Sequence, residues 1–380
     1  MRIVHVADSF APDIGGIESQ VERLARRQRA DGHDVTVITA VAERSDTDLD
    51  LDVVRAASGR WLTVAFPWRN HRAVAEVLDG SRIDVVHVHF TVISPIAIYV
   101  ARAASRRGIP VAVTVHSLWW KVAAATRVST LPFGWGRMRA AWSAVSSVAA
   151  GHVGRTLLGV DEVSVTPNLV DTAWWRPNGP TREATGEIRI VLVGRLKKRK
   201  HVNEFIDALA EARRRLAAED KAATKVKVSI LGEGPRRADL QRQITMLGLS
   251  DWVSLLGYRP AAEIRDQFHS SDLFVASSRQ EAFGIAALEA RAAGLPVIGY
   301  RGNGLVDFIA DGVDGVLVPD AESLVRTLVD LIGRPEQLRR LRMTAASSPP
   351  VVVEADAMRA VDDLYARARA MHQTRHLARK

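Results

Sequence analysis

Leu273–Glu289 reads LFVASSRQEAFGIAALE. Its opening is a short unbroken apolar run, as expected of a strand covered on both faces. From Ile285 the apolar residues take helical spacing. The segment therefore predicts a strand over Leu273–Ala276, a loop, and a helix over Ile285–Ala293. Glu281 falls in the loop above the carboxyl end of the strand, and Glu289 in the first helical turns. The N–H groups of Phe283, Gly284 and Ile285 lie at the helix start, where unpaired donors and the helix dipole favour a phosphate. Gly284 has no side chain to keep a ligand away from the backbone. A carboxylate on either side of such a phosphate site can accept hydrogen bonds from hydroxyls. One segment thus offers partners for a sugar, a diphosphate and a ribose in order.

The same alternation extends in both directions. After Leu273–Ala276 a further strand is expected at Pro296–Gly299; before it come Ile188–Val193, Lys225–Leu231 and Val253–Leu255, with helices over His201–Leu216 and up to Leu247. The first half offers strands at Arg2–Ala7, Asp34–Thr39, Ile83–His89, Pro110–His116 and Ala140–Ser146, with a helix over Ile17–Asp31. Apolar strands separated by helices imply parallel, doubly wound α/β sheets. Residues 166–187, rich in Pro, Gly, Asn and Asp, read as the linker. A chain of 380 residues accommodates two domains, here 1–170 and 186–353, followed by a helix from Glu354 to Ala370 with Met358, Val361, Leu364 and Ala368 on one face.

Other strand ends carry residues suited to the same ligand. Val193–Lys200, VGRLKKRK, brings Arg195 and Lys200 to the end of the first strand of the second domain. A fork-shaped guanidinium and a point-charge ammonium stabilise the charge that develops on a departing diphosphate. Ile230–Gly234 contributes Gly232, Tyr300–Gly304 a further glycine-rich turn, and Pro12–Glu18 the pair Gly15 and Gly16 ahead of the first helix. His116 ends the fourth strand of the first domain, with His87 and His89 on the strand before it; chemistry alone leaves His116 equally suited to a structural role.

The Glu281-x7-Glu289 element and the small-residue stretch Ala290–Val297 resemble the family-4 retaining glycosyltransferases of the GT-B fold, in which two Rossmann-like domains face a central cleft. The resemblance covers nearly the whole chain: Gly-Gly loop, strand-end histidine, Pro167-Asn168, Arg/Lys pair and Glu-x7-Glu stand in the family's order. It implies that Glu281 contacts the donor sugar and Glu289 the ribose. Arg195 and Lys200 would hold the diphosphate, and Gly232 would lie under the nucleotide. Gly15 and Gly16 would reach over the donor phosphate, with His116 beside the reacting carbon. It implies transfer of a hexose or N-acetylhexosamine from a UDP- or GDP-sugar with retention, without metal or other cofactor, and a last helix returning to the first domain. His201, where the family often has glycine, and Asp307, where it often has glutamate, depart from the pattern. Pro12–Glu18 and His116–Leu118 are similar to segments of phosphatidylinositol-glycosylating transferases.

Composition sets outer bounds. Forty-seven per cent hydrophobic and 25% charged residues are ordinary for a globular protein, and the absence of cysteine excludes disulfides and thiolate metal sites. No unbroken apolar stretch is long enough to span a membrane, and the first residues lack a signal peptide's apolar core. That fits a cytoplasmic protein, peripheral on the inner face of the membrane if its acceptor is a lipid. The net charge is +9. Val85–Val160 contains no Asp or Glu but holds Arg102, Arg106, Arg107, Lys121, Arg127, Arg137, Arg139 and Arg155, with Trp119, Trp120, Trp135 and Trp142. This stretch suits an anionic membrane surface or acceptor, with membrane contact through 101–155; equally it suits a solvated basic face over core tryptophans. A soluble small-molecule acceptor is the alternative. A nucleic-acid-binding protein is the non-enzyme reading, although no base-stacking or recognition-helix motif supports it. The acidic run Ser45–Asp52 reads as solvated surface rather than a metal loop.

Overall fold

The computed structural model describes residues 1–13, 15–42, 50–56, 71–80, 82–91, 94–119, 138–177, 186–219, 225–348, 350 and 352–377. It forms two compact units: Met1–Leu169 together with Ala355–Lys380, and Val170–Glu354.

Among the described residues the first unit holds a seven-stranded sheet. Its strands are β1 (Arg2–Ala7), β2 (Asp34–Thr39), β3 (Asp52–Arg55), β4 (Val85–Phe90), β5 (Val111–Val115), β6 (Ala141–Ala144) and β7 (Val163–Val165). They lie in the order β3-β2-β1-β4-β5-β6-β7, all parallel. The order reverses between β1 and β4, where an open α/β sheet leaves a crevice at the strands' carboxyl ends. The second unit repeats the plan in six strands: β8 (Glu187–Val193), β9 (Lys225–Leu231), β10 (Val253–Gly257), β11 (Leu273–Val275), β12 (Val297–Tyr300) and β13 (Gly315–Val318). Their order is β10-β9-β8-β11-β12-β13, with the reversal between β8 and β11.

Central strands are buried along their length, as β4 and β5 show. Three strands were not anticipated from the sequence. β3, β7 and β13 are each three or four residues long and lie at sheet edges; exposure interrupts the apolar run in β3 and β7, whereas β13 is mostly buried and simply short. The linker is also shorter than expected. Trp175, in the helical turn Thr172–Trp175, is buried against Phe268 at a ring separation of 5.4 Å, which attaches the segment from Val170 onward to the second unit.

The last helix, Glu354–Leu377, belongs to the first unit from Ala355. Ala357, Val361, Leu364, Tyr365 and Ala368 are buried in one cluster with Ile3, Leu24, Val85 and Ala112; Met358 is only partly covered. Each fully buried aliphatic side chain contributes about 1.5–3 kcal/mol. Because these side chains are shared between the first strands and the last helix, the sheet's surface is incomplete without it. Trp119 and Trp142 are likewise core residues of the first unit, so packing accounts for these two of the tryptophans in the basic stretch. Trp120, Lys121, Arg127, Trp135 and Arg137 lie outside the described residues, as do residues 45–49 of the acidic run. No helix among the described residues is long and apolar enough to cross a membrane.

Candidate active site

In the second unit the expected residues gather at the reversal between β8 and β11. The chain leaves β8 through Gly194 and Arg195, makes a short 3-10 turn over Lys198–Lys200 and enters the helix Val202–Ala218. Lys197, Lys198 and Arg199 are exposed; Arg195 and Lys200 are half-buried. The Lys200 Nζ donates to Glu281 Oε2 at 2.6 Å, with the two side chains 29% and 21% exposed. Of the four neighbouring basic residues, the turn thus aims Lys200 at the carboxylate. Ser277 and Ser278, just beyond β11, donate their hydroxyls to the carbonyls of Lys200 and Arg199 at 2.7 and 3.3 Å, which ties the basic turn to the loop bearing Glu281.

His201 explains one departure from the family pattern. It adopts φ 52° and ψ 30°, the left-handed region, as it caps the helix Val202–Ala218. A side chain is disfavoured in this conformation and glycine is not.

Gly284 caps the helix Ile285–Ala292 at φ 95°. A Cβ there would meet Leu305 Cδ2 at 2.5 Å, so glycine is required by space as well as conformation. The N–H groups that follow begin the helix and have no carbonyl one turn earlier within it. Phe283 is buried against Phe308, with ring centroids 5.5 Å apart; only its backbone is suited to a ligand. Glu289 is half-buried on the next turn. Gly232, at φ 134°, closes β9 so tightly that a Cβ would stand 2.0 Å from the Gly194 carbonyl oxygen. The turn after β12 contributes more than its glycines suggested: the Gly304 N–H donates to the Glu281 carbonyl at 2.8 Å, and Asn303 donates to the Ser278 carbonyl at 3.3 Å. The backbone bearing Glu281 is therefore fixed from two neighbouring loops.

In the first unit, Gly15 precedes the helix Gly16–Ala30, after β1. His116 follows β5 and joins a buried polar network that sequence spacing did not reveal. His116 Nε2 lies 3.0 Å from His89 Nδ1, His89 Nε2 lies 2.9 Å from His5 Nδ1, and His5 Nε2 lies 2.7 Å from Gln28 Oε1. Gln28 Nε2 donates to the Tyr365 hydroxyl at 3.0 Å, and Tyr365 meets His87 Nδ1 at 2.9 Å. His5, His87 and His89 also stand close enough for one nitrogen of each to share an ion, within 4.8 Å; every ring nitrogen of the three already has a hydrogen-bond partner. The missed signal was alternation: His5, His87 and His89 occupy inward positions of neighbouring strands, with His5 registered on His87.

Burial lowers the basicity of His5 and of His116 to about 4, with smaller opposing effects from Gln28 and Asn168. Burial, reinforced by neighbouring histidines, holds His87 and His89 well below 6.5. All four rings are neutral at pH 7. A group with a depressed folded pKa stabilises the fold above its unfolded value of about 6.5, and that contribution is lost as pH falls towards 4. Asp8, at the end of β1, works oppositely. Burial raises its carboxyl to about 6, although it accepts bonds from the Ile96 and Ala97 N–H groups. It gains stability as pH falls through 6. The histidines outnumber it: His5 alone loses about 2 kcal/mol between pH 7.5 and pH 5. Urea unfolding is therefore expected to give a lower unfolding free energy at pH 5 than at pH 7.5; equal values would mean that the rings are not buried as neutral groups.

Two protein-family models match the chain. "Glycosyltransferase Family 4" covers residues 14–174 and "Glycosyl transferases group 1" covers residues 178–347. A phosphatidylinositol N-acetylglucosaminyltransferase subunit from Arabidopsis thaliana is 28% identical over 346 residues, 86% of this chain and 73% of the relative. GDP-mannose-dependent alpha-(1-6)-phosphatidylinositol dimannoside mannosyltransferase of Mycobacterium tuberculosis is 28% identical, with 90% of each chain covered. Among solved structures, Anabaena HepE in complex with UDP superposes with a TM-score of 0.70 at 20% identity, covering 98% of this chain and 99% of its own.

Proposed function

Since the chain belongs to the family-4 glycosyltransferases of the GT-B fold, and is a hexosyltransferase using a nucleotide-sugar donor, we propose that it transfers a hexose or N-acetylhexosamine, with retention, from a UDP- or GDP-sugar to a hydroxyl of a phosphoinositide-type lipid. The observation that carries this reading is the Lys200–Glu281 contact beside the helix start at Gly284. It brings a cation, a carboxylate and a phosphate-binding backbone to one strand reversal.

The second unit holds the donor in this scheme. Arg195 and Lys200 neutralise the diphosphate, the N–H groups following Gly284 bind its oxygens, Gly232 lets the nucleotide approach β9, and Glu289 accepts from the ribose hydroxyls. Glu281 accepts from the sugar hydroxyls. Before donor binding, Lys200 and Glu281 satisfy one another; the incoming diphosphate competes for the ammonium and frees the carboxylate for the sugar. When the glycosidic bond breaks, the fixed cations stabilise the departing diphosphate without reorganising. A phosphate oxygen takes the acceptor's proton as the acceptor attacks from the face that the diphosphate leaves, giving retention. These steps use no metal. For the first unit, the family resemblance assigns Gly15 and Gly16 to the donor phosphate and His116 to the sugar. The lipid acceptor is supported by the activities for which the two phosphatidylinositol-directed relatives are named. With such an acceptor the enzyme works in the cytoplasm, at the inner membrane face, with contact through the basic residues of 101–155. A soluble acceptor is the competing reading.

Calorimetric titration with UDP, GDP and ADP is expected to give saturable binding of UDP or GDP, in preference to ADP. Binding of none of them would sink the donor site. Sedimentation with vesicles of phosphatidylinositol and phosphatidylcholine at low salt is expected to carry the protein down; failure to do so would favour a soluble acceptor.

A further inference from the structure

The polar network of the first unit has a direction. At one end Ser143 Oγ lies 3.1 Å from the Val113 carbonyl oxygen, which can only accept, so Ser143 donates to it. Its neighbour Thr114, at 2.9 Å, must then donate to Ser143. Thr114 thereby becomes the acceptor for His87 Nε2–H at 2.8 Å. A neutral imidazole carries one N–H, so His87 Nδ1 is bare and accepts from the Tyr365 hydroxyl. Tyr365 in turn accepts from the Gln28 amide N–H, and the Gln28 carbonyl accepts from His5 Nε2–H. The same reasoning passes along the remaining rings: His89 Nε2–H donates to His5, and His116 Nε2–H donates to His89. One N–H or O–H is used at every step.

We propose that Gln28, His5 and His89 are positioning residues that lock His116 as the Nε2–H tautomer, so that it offers the Nδ1 lone pair to a ligand hydroxyl. His116 Nδ1 and Asn168 Oδ1 are both buried, and neither makes a hydrogen bond of good geometry, although Asn168 stands near enough to the ring to favour its protonated form. Buried polar atoms require partners, and with the ring in the Nε2–H form Nδ1 and Asn168 Oδ1 are both acceptors. A ligand hydroxyl donating to Nδ1 gives that atom its partner. Depressed basicity keeps the rings neutral, without which the direction would be lost. The catalytic use of that lone pair rests on the reading of His116 as a sugar-contacting residue; the tautomer itself does not.

The test is 15N NMR of the full chain, labelled at histidine, at pH 7 and without ligand. The wild type is expected to show an imine-type signal for His116 Nδ1 and a pyrrole-type signal for Nε2. Gln28→Leu removes the acceptor of His5 Nε2–H, which makes reversal favourable: each ring then donates outward and His116 Nδ1–H reaches Asn168 Oδ1. The ratio of the two tautomers is expected to shift by at least about tenfold, the worth of one hydrogen bond. Tyr365→Phe, which leaves the Gln28 amide free to turn over, is expected to shift it the same way and serves if Gln28→Leu does not fold. A pyrrole-type Nδ1 in the wild type overturns the proposal, as does a wild-type pattern in the folded variants. Because no donor is present, a protein that failed to bind UDP or GDP would lose the sugar-transfer reading while this result stood.

Discussion

Glu281→Ala is expected to lower the rate of sugar transfer by about 10²-fold to 10³-fold, the loss typical of removing a group preorganised for the transition state, with little change in thermal midpoint. The fold should survive because, among the described residues, the side chain's hydrogen-bond partner is Lys200, and that group is 29% exposed. Water can take over the ammonium. The element that organises the loop is the Glu281 backbone carbonyl, which accepts from Gly304 and is unchanged by the substitution. Initial rates with the nucleotide sugar identified by calorimetry, alongside a thermal melt, check both halves. Transfer at near wild-type rate would remove Glu281 from the site.

Arg291→Leu is expected to destabilise the second unit by about 3–5 kcal/mol. The guanidinium is fully buried and pairs with Asp314 at 3.0 Å. It also donates to the carbonyls of Ala345 and Ser348, both at 3.0 Å, near the end of the helix Pro335–Ser347. Substitution strands a carboxylate and two carbonyls away from water. A domain's whole stability is about 5–15 kcal/mol, so the urea midpoint of the second unit should fall by about a fifth or more. Adding Asp314→Leu should recover part of the loss, since the stranded charge disappears. A single variant within about 1 kcal/mol of wild type would mean that the pair is hydrated.

Arg291 also shows where reading the sequence stops. Its setting, Ala290–Val297, was legible as a stretch of small residues, and the structure gives the reason: a Cβ on Gly294 would lie 3.3 Å from the Ala346 backbone. The arginine within it carried no signal, because its partner is 23 positions away and pairing of that kind has no period. The histidines of the first unit were hidden for the same reason, with His5 and His89 separated by 84 positions. Strands and helices, by contrast, advertise themselves by local repetition. Arg2–Ala7, Asp34–Thr39 and Lys225–Leu231 were bounded to the residue. The edge strands β3 and β7 were too short and too mixed to do so, and β13 too short. In the site, the spacing of Glu281 and Glu289 was visible in one segment, whereas the choice of Lys200 among four neighbouring cations required the turn of Lys198–Lys200 to be seen in three dimensions.

The return of the helix Glu354–Leu377 to the first unit has a consequence for how the protein comes into being. Ile3, Leu24, Val85 and Ala112 are made early, yet the residues that cover them, Ala357 to Ala368, are made after every strand of the second unit. During synthesis, every strand of both units is made before the helix whose side chains complete this cluster of the first unit. Tyr365, the residue through which Gln28 and His87 are joined, comes with that late segment. The polar order around His116 is thus among the last features of the molecule to be established.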